Sequence, residues 1–229
     1  MQIKLNQLFL LTSLIALFSA CSDNGVKHTR GFYYWKSGGL TEFEEHIFRE
    51  SEASKLYVKL FEVTLDEEEG IIPVDKIYAD FSEEFLGKTE IVPCIFIENE
   101  VISRSDKQEL EELAENILFL VDKYINDKLK EKKTAEITYK EIQIDCDWMK
   151  TSKDKYFQFL SYLKEKTDKR LSCTLRLYPY KFQNEMGIPP VDRVMLLCYN
   201  LLNPQTNPDK NSILDMEELN NLIQFPIFY

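Results

Sequence analysis

Six short apolar runs recur along the chain, at Gly31–Lys36, Lys55–Leu65, Ile91–Ile97, Glu141–Trp148, Leu171–Tyr178 and Val191–Leu201. Between most of them the apolar residues change period from two to three or four. Thr41-Glu42-Phe43-Glu44 has the form of a capping box and opens a helix with Phe43, Ile47 and Phe48 on one face. Glu109–Lys130 carries a stripe of Leu110, Leu113, Ala114, Ile117, Leu118, Val121, Tyr124 and Ile125. A further helix is expected after a cap at Thr151–Asp154, with Tyr156, Phe157, Leu160 and Leu163 inward, and a last one at Leu214–Ile223. The stretch 66–90 is acidic and irregular, with a short helix expected at 74–85. Strands alternating with helices imply a parallel sheet, because parallel neighbours need a crossover and the helix supplies it.

Two architectures meet that pattern. An open doubly wound sheet normally carries a Gly-rich phosphate loop in its first strand–helix turn. This chain has only 7 Gly and no such loop, so the (β/α)8 barrel is favoured. The expected fold is therefore α/β of the (β/α)8 TIM-barrel type. It is expected to be incomplete: six units fill residues 31–223, and the last two would need about 60 more residues. Residues 31–229 are assigned to this partial barrel.

Lys plus Arg number 28 and Asp plus Glu 39, for a net charge of −11 and no basic run. Such a chain lacks the electrostatic footprint of nucleic-acid binding. With 2 His and no C-x-x-C, no metal is assigned, and no cofactor. Cys94, Cys146, Cys173 and Cys198 each sit in an apolar run and are expected to be buried thiols rather than a disulfide framework. Asp66–Glu69 lacks Ca²⁺-loop spacing and is expected to be a solvated loop.

The N-terminus is a targeting segment. Lys4 precedes an apolar run from Leu8 to Phe18, too short to span a membrane, and then Ser19-Ala20-Cys21. The pattern resembles a bacterial lipoprotein signal, which implies lipidation of Cys21 and a membrane partner through that anchor. An ordinary secretory signal with an incidental Cys is the alternative. Residues 1–20 are then the signal and 21–30 a linker. Ser22 rather than Asp after the Cys implies the outer membrane, and Ser22-Asp23-Asn24 resembles an acidic surface-export tag.

In a barrel, chemistry sits at the C-terminal ends of the strands. Gln143, Asp145 and Asp147 alternate onto one face of the fourth strand, with Ile144, Cys146 and Trp148 on the other. Lys59 and Arg176 are charges inside apolar strands, costly unless paired. An Asp–Lys–Arg cluster at the mouth is expected, serving either a site or the scaffold. Trp35 ends the first strand as a core aromatic or a sugar-stacking platform. Glu98 and Glu100 close the third strand and are either solvated or a supplementary acid.

Gln143-Ile-Asp145-Cys-Asp147-Trp148-Met149 resembles the strand-four signature of family 18 glycoside hydrolases, the chitinase-type barrels, Asp-x-x-Asp-x-Asp-x-Glu. Asp145 and Asp147 match the second and third Asp. Ile142 replaces the first, and Met149 stands where the acid Glu would be. Leu197-Cys-Tyr199-Asn200 is similar to that family's Met-x-Tyr-Asp. The resemblance implies a carbohydrate ligand. It implies Asp147, Asp145 and Tyr199 as the catalytic candidates, and Asn200 as a hydrogen-bonding neighbour. Trp35, Lys59 and Arg176 complete the substrate-binding set. Without the Glu the mechanism lacks its acid, so a non-catalytic glycan-binding or scaffold lipoprotein, or a truncated fragment without function, stands beside hydrolysis. Residues 31–204 as a whole resemble uncharacterised bacterial, Bacteroidota-type lipoproteins with a glycosidase-like barrel.

Overall fold

The computed structural model describes residues 28–126, 139–199 and 201–223. The expected signal, Cys21 and Asn200 lie outside the described residues.

Strand β1 (Gly31–Tyr34) leads to α1 (Glu42–Glu50), and β2 (Lys55–Asp66) to β3 (Gly70–Val74) and α2 (Glu83–Lys88). Strand β4 (Glu90–Ile97) is followed by α3 (Asn99–Arg104) and α4 (Lys107–Tyr124). Next come β5 (Glu141–Asp145), α5 (Lys153–Lys166), β6 (Arg170–Arg176), α6 (Leu177–Lys181), α7 (Gln183–Met186), β7 (Arg193–Leu197) and α8 (Met216–Ile223).

The strand order is β1-β2-β4-β5-β6-β7, every neighbouring pair parallel, with β3 antiparallel on β2. The sheet rolls, so that Gly31 and Tyr33 of β1 and Arg193 and Met195 of β7 line one opening of about 900 Å³. Met195 of β7 packs against a small cluster of Tyr57, Val92 and Cys94. This is the incomplete barrel the alternation implied, six parallel strands with β1 and β7 as edges.

The main core lies outside the barrel wall. Leu56, Val58, Ile91, Ile95, Ile142, Ile144 and Leu171 meet Leu110, Leu113, Ile117 and Val121 of α4 and Tyr156, Phe159, Leu160 and Leu163 of α5. Each element shows its expected period, two on the strands and three to four on the helices. The inner wall is different. Cys94, Gln143, Ser172 and Arg193 stand side by side across β4 to β7, and the base of the barrel is ionic. Lys55 Nζ lies 3.0 Å from Glu141 and 3.1 Å from Glu90; Arg193 approaches Glu141 and Arg170 approaches Glu90, each at 3.4 Å. Glu141 is 1% exposed and is held by Lys55 and Arg193 rather than by water, whereas the Arg193 and Arg170 guanidinium groups reach solvent.

Several expected boundaries are corrected. The acidic run 66–69 is a hairpin turn: Asp66 Oδ1 accepts the Glu68 and Glu69 amides at 2.8 and 2.9 Å, and Gly70 takes φ +77° to start β3. The helix expected at 74–85 starts only at Glu83, where Ser82 caps it; Asp75, at φ 47°, falls in a non-helical segment. Helix α4 begins at Lys107, two residues before the expected Glu109, because Asp106 and Glu109 form the capping box; residues 127–130 of the expected helix lie outside the described residues. Strand β5 stops at Asp145, so Asp147 and Trp148 lie past its end. Strand β6 gives way to α6 at Leu177, and β7 is confined to Arg193–Leu197. The last helix starts at Met216. The Thr41 capping box is present, yet Phe43 and Ile47 are exposed and only Phe48 of the expected apolar face is buried. The cause is position: β1 is an edge, so α1 has a neighbour on one side only.

Candidate functional site

The C-terminal ends of β1, β2, β4, β5 and β7 converge on a hollow of about 220 Å³. Trp35, Lys59, Asp145, Asp147 and Tyr199, all singled out in the sequence, line it. Tyr33, Glu62, Cys94, Phe96 and Leu197 complete the lining.

Asp145 is the last residue of β5 and points inward by the alternation that sends Ile144 to the outer core. Thr174 Oγ1 of β6 donates to its Oδ1 at 2.6 Å. Burial raises its proton affinity above the usual aspartate value. The Thr174 bond opposes that, and the neighbouring Asp147 charge adds to it. Asp147 sits past the strand end, where Arg176 Nε donates to its Oδ1. Both side chains of this pair are about half exposed, so it is a rim contact.

The expected Asp–Lys–Arg cluster is therefore split. Lys59, beside an irregularity of β2 between Lys59 and Phe61, donates to Glu62 at 2.5 Å and Asp75 at 2.7 Å, not to either strand-five aspartate. Burial alone would lower its pKa, but the bonds to Asp75 and Glu62 outweigh it and raise it. The bulge turns Lys59 toward its own hairpin, within reach of Asp75, which follows β3.

Beneath the hollow, Tyr33 Oη donates to Gln143 Oε1 at 2.5 Å, and Cys94 Sγ approaches the same oxygen at 3.6 Å. Gln143 is 0% exposed, and its Nε2 has no hydrogen-bond partner among the described residues. Burial holds the Tyr33 hydroxyl firmly protonated. Above it, Trp35 is 58% exposed and meets the Tyr33 ring edge-on at 5.6 Å; across the hollow Tyr199 is 49% exposed. Gln143 and Tyr33 were within reach of sequence reasoning, because they share strand parity with Asp145 and Trp35.

Other expected residues fall elsewhere. Met149 is 55% exposed on the loop after β5, its amide held by Ser152 Oγ at 3.0 Å. Glu98 accepts from Thr64 at 2.6 Å and Glu100 pairs with Arg104 at 2.8 Å; neither lines the hollow. Cys94, Cys146 and Cys173 are buried free thiols, and Cys198 is half-buried.

No family model matches the chain, and no curated protein matches it. Among solved structures it is similar to the GH18 chitinase ChiB from the chitin utilization locus of Flavobacterium johnsoniae, at 12% identity and a TM-score of 0.44. The alignment covers 87% of this chain and 63% of the chitinase chain, so the chain spans less than two thirds of that protein's length.

Proposed function

We propose that this protein is a lipid-anchored envelope protein whose barrel mouth binds carbohydrate without cleaving it. The observation that carries the proposal is the mouth hollow, where the exposed rings of Trp35 and Tyr199 stand beside Asp145 and Asp147. A pyranose has apolar C–H faces and a hydroxyl edge, which suits ring faces set beside fixed acceptors. A volume near 220 Å³ is below the roughly 300–1,000 Å³ of sites for drug-sized ligands, and suits one sugar ring.

Hydrolysis asks for more. It needs a proton donor and a carboxylate free to act as base or nucleophile or, where the substrate's own N-acetyl group is the nucleophile, to orient that group. Here Asp147 is occupied by Arg176, and position 149 offers a thioether with no proton to give. One observation favours the catalytic reading: Asp145 holds its proton more tightly than an ordinary aspartate, as a general acid should.

A glycan-array measurement on the full chain tests the proposal. Binding to at least one sugar, weakened tenfold or more in Trp35→Ala, is the expected outcome. Absence of binding to every glycan would refute it. Time-dependent cleavage of a bound glycan that Asp145→Asn abolishes would replace it with the hydrolytic reading. The anchor rests on Ser19-Ala20-Cys21 after the Leu8–Phe18 run, and Cys21→Ser should release the protein from membranes.

A further inference from the structure

The mouth carries a surplus of negative charge. Asp145, Asp147 and Glu62 line the hollow and Asp75 completes its ion pairs, against Lys59 and Arg176 among the described residues. Three of the four are ion-paired, and Asp145 alone among them has no salt bridge among the described residues, in a hollow already partly shielded from water. Both cations are committed: Lys59 bridges Glu62 and Asp75, and Arg176 holds Asp147. Asp145 keeps most of its acceptor capacity, since Thr174 supplies its one side-chain hydrogen bond among the described residues.

A second observation, independent of the charge, also asks for a ligand. Gln143 shares the inner face with Asp145, one strand repeat deeper, and is bonded to Tyr33 and Cys94, both of which line the hollow. Its Nε2 is a fully buried donor with nothing to bond among the described residues. Buried donors without partners are rare because each forfeits its hydration. The inner wall under the hollow thus presents an unused donor, and the wall above it an unused anionic acceptor. The rings of Trp35 and Tyr199 line the hollow with Asp145, and such ring faces attract cations as well as sugar C–H groups.

We infer that the mouth takes a cationic amino sugar, a hexosamine with a free amine, in preference to its N-acetylated, neutral or acidic counterparts. The inference rests on the carbohydrate-binding reading above and names the class of sugar. The ammonium group faces Asp145, where it neutralises the carboxylate left over by the two ion pairs. Acetylation removes the charge and adds bulk to a hollow sized for one ring. A uronate places a second uncompensated carboxylate beside Asp145.

The test uses the full chain and four probes: the methyl glycosides of glucosamine, N-acetylglucosamine, glucose and glucuronic acid. Binding is followed by the fluorescence of exposed Trp35 and by ligand-observed NMR. The amine should bind at least tenfold more tightly than the next best probe, and glucuronic acid least. High salt should erode the preference, since it screens the half-open site. Asp145→Asn should bring the amine down to the level of glucose. Lys59→Gln, which removes a cation, should tighten amine binding several-fold, and this opposite sign does not depend on how well Asp145→Asn folds. Equal or weaker binding of the amine relative to glucose or N-acetylglucosamine overturns the inference and leaves the carbohydrate reading intact. Binding of none of the four overturns the inference and counts against that reading too.

Discussion

Lys55 at the base of the barrel makes a demanding test of how the inner wall is held together. Its ammonium lies 3.0 Å from Glu141 and 3.1 Å from Glu90, and its side chain is almost wholly buried. Replacing it with Met preserves length and apolar volume but removes the charge. Glu141 would then keep only Arg193, at 3.4 Å, and that guanidinium is half exposed. Breaking a buried pair by deleting one partner typically costs about 3–5 kcal/mol, because the orphaned charge has lost its water. For a chain of this size each kcal/mol moves the melting temperature by roughly 2–4 °C, so Lys55→Met should lower it by about 6–20 °C. The assay is thermal unfolding by circular dichroism, with urea unfolding to confirm that the slope is unchanged. The double variant Lys55→Met with Glu141→Leu should recover much of the loss, since the fully buried carboxylate is gone and the partly exposed Glu90 keeps Arg170. A loss below about 1 kcal/mol for the single variant would show that water reaches the base through the β1–β7 opening, and the account of a dry ionic floor would be wrong.

Asp147→Asn should cost no more than about 1 kcal/mol, since its Arg176 partner is a half-exposed rim contact; a melt showing several times that would make the pair part of the scaffold. Phe159→Ala, deep between α5 and the sheet, should cost about 3–5 kcal/mol in urea unfolding. Gly70→Val should destabilise the β2–β3 turn by about 1–3 kcal/mol, because φ +77° is strained for a branched side chain; an unchanged melt would mean the turn re-forms differently. Asp145 provides a pH signature. Its folded pKa is raised from 3.8, so the folded state binds the proton more tightly, and this group makes stability fall as pH rises from about 3.8 through the folded value. Asp145→Asn should therefore equal or exceed the parent in stability at neutral pH. That advantage should shrink as pH falls through the raised folded value and be gone below about 3.8.

The barrel was legible because its signal is redundant. Six strands and the helices between them each carry their own period, and any two consecutive units already imply parallel pairing. What escaped was set by single residues. The β2–β3 hairpin depends on Asp66 bonding two amides and on Gly70 adopting a left-handed conformation, and both are hidden in a run that composition alone marks as solvated. The strand ends escaped because apolar pattern continues past the last ladder bond. Cys146 and Trp148 stay buried after β5 has ended, so the sequence shows no break at Asp145. Helix α1 kept its cap but not its burial, because burial depends on a neighbour that sequence period cannot supply.

For the site, parity carried the argument further than any motif. Asp145 and Lys59 were found because a charge in an apolar strand has to face a place where it can be solvated or paired, and the inner wall of the barrel is that place. The same rule marks Lys55, Glu141 and Gln143, which share that wall with them, at strand positions of matching parity. Partner choice is what parity cannot give. Lys59 and Asp145 share the mouth, yet Lys59 turns to Glu62 and Asp75, drawn to them by the irregularity in β2 and the hairpin that follows it. That diversion leaves Asp145 without a lysine and Asp147 dependent on Arg176 alone. The charge imbalance of the mouth is thus a consequence of the hairpin, and deleting Gly70's left-handed turn should disturb ligand preference as well as stability. If Gly70→Val lowers stability but leaves the amine preference untouched, the position of Asp75 is not what holds Lys59 away from the aspartates.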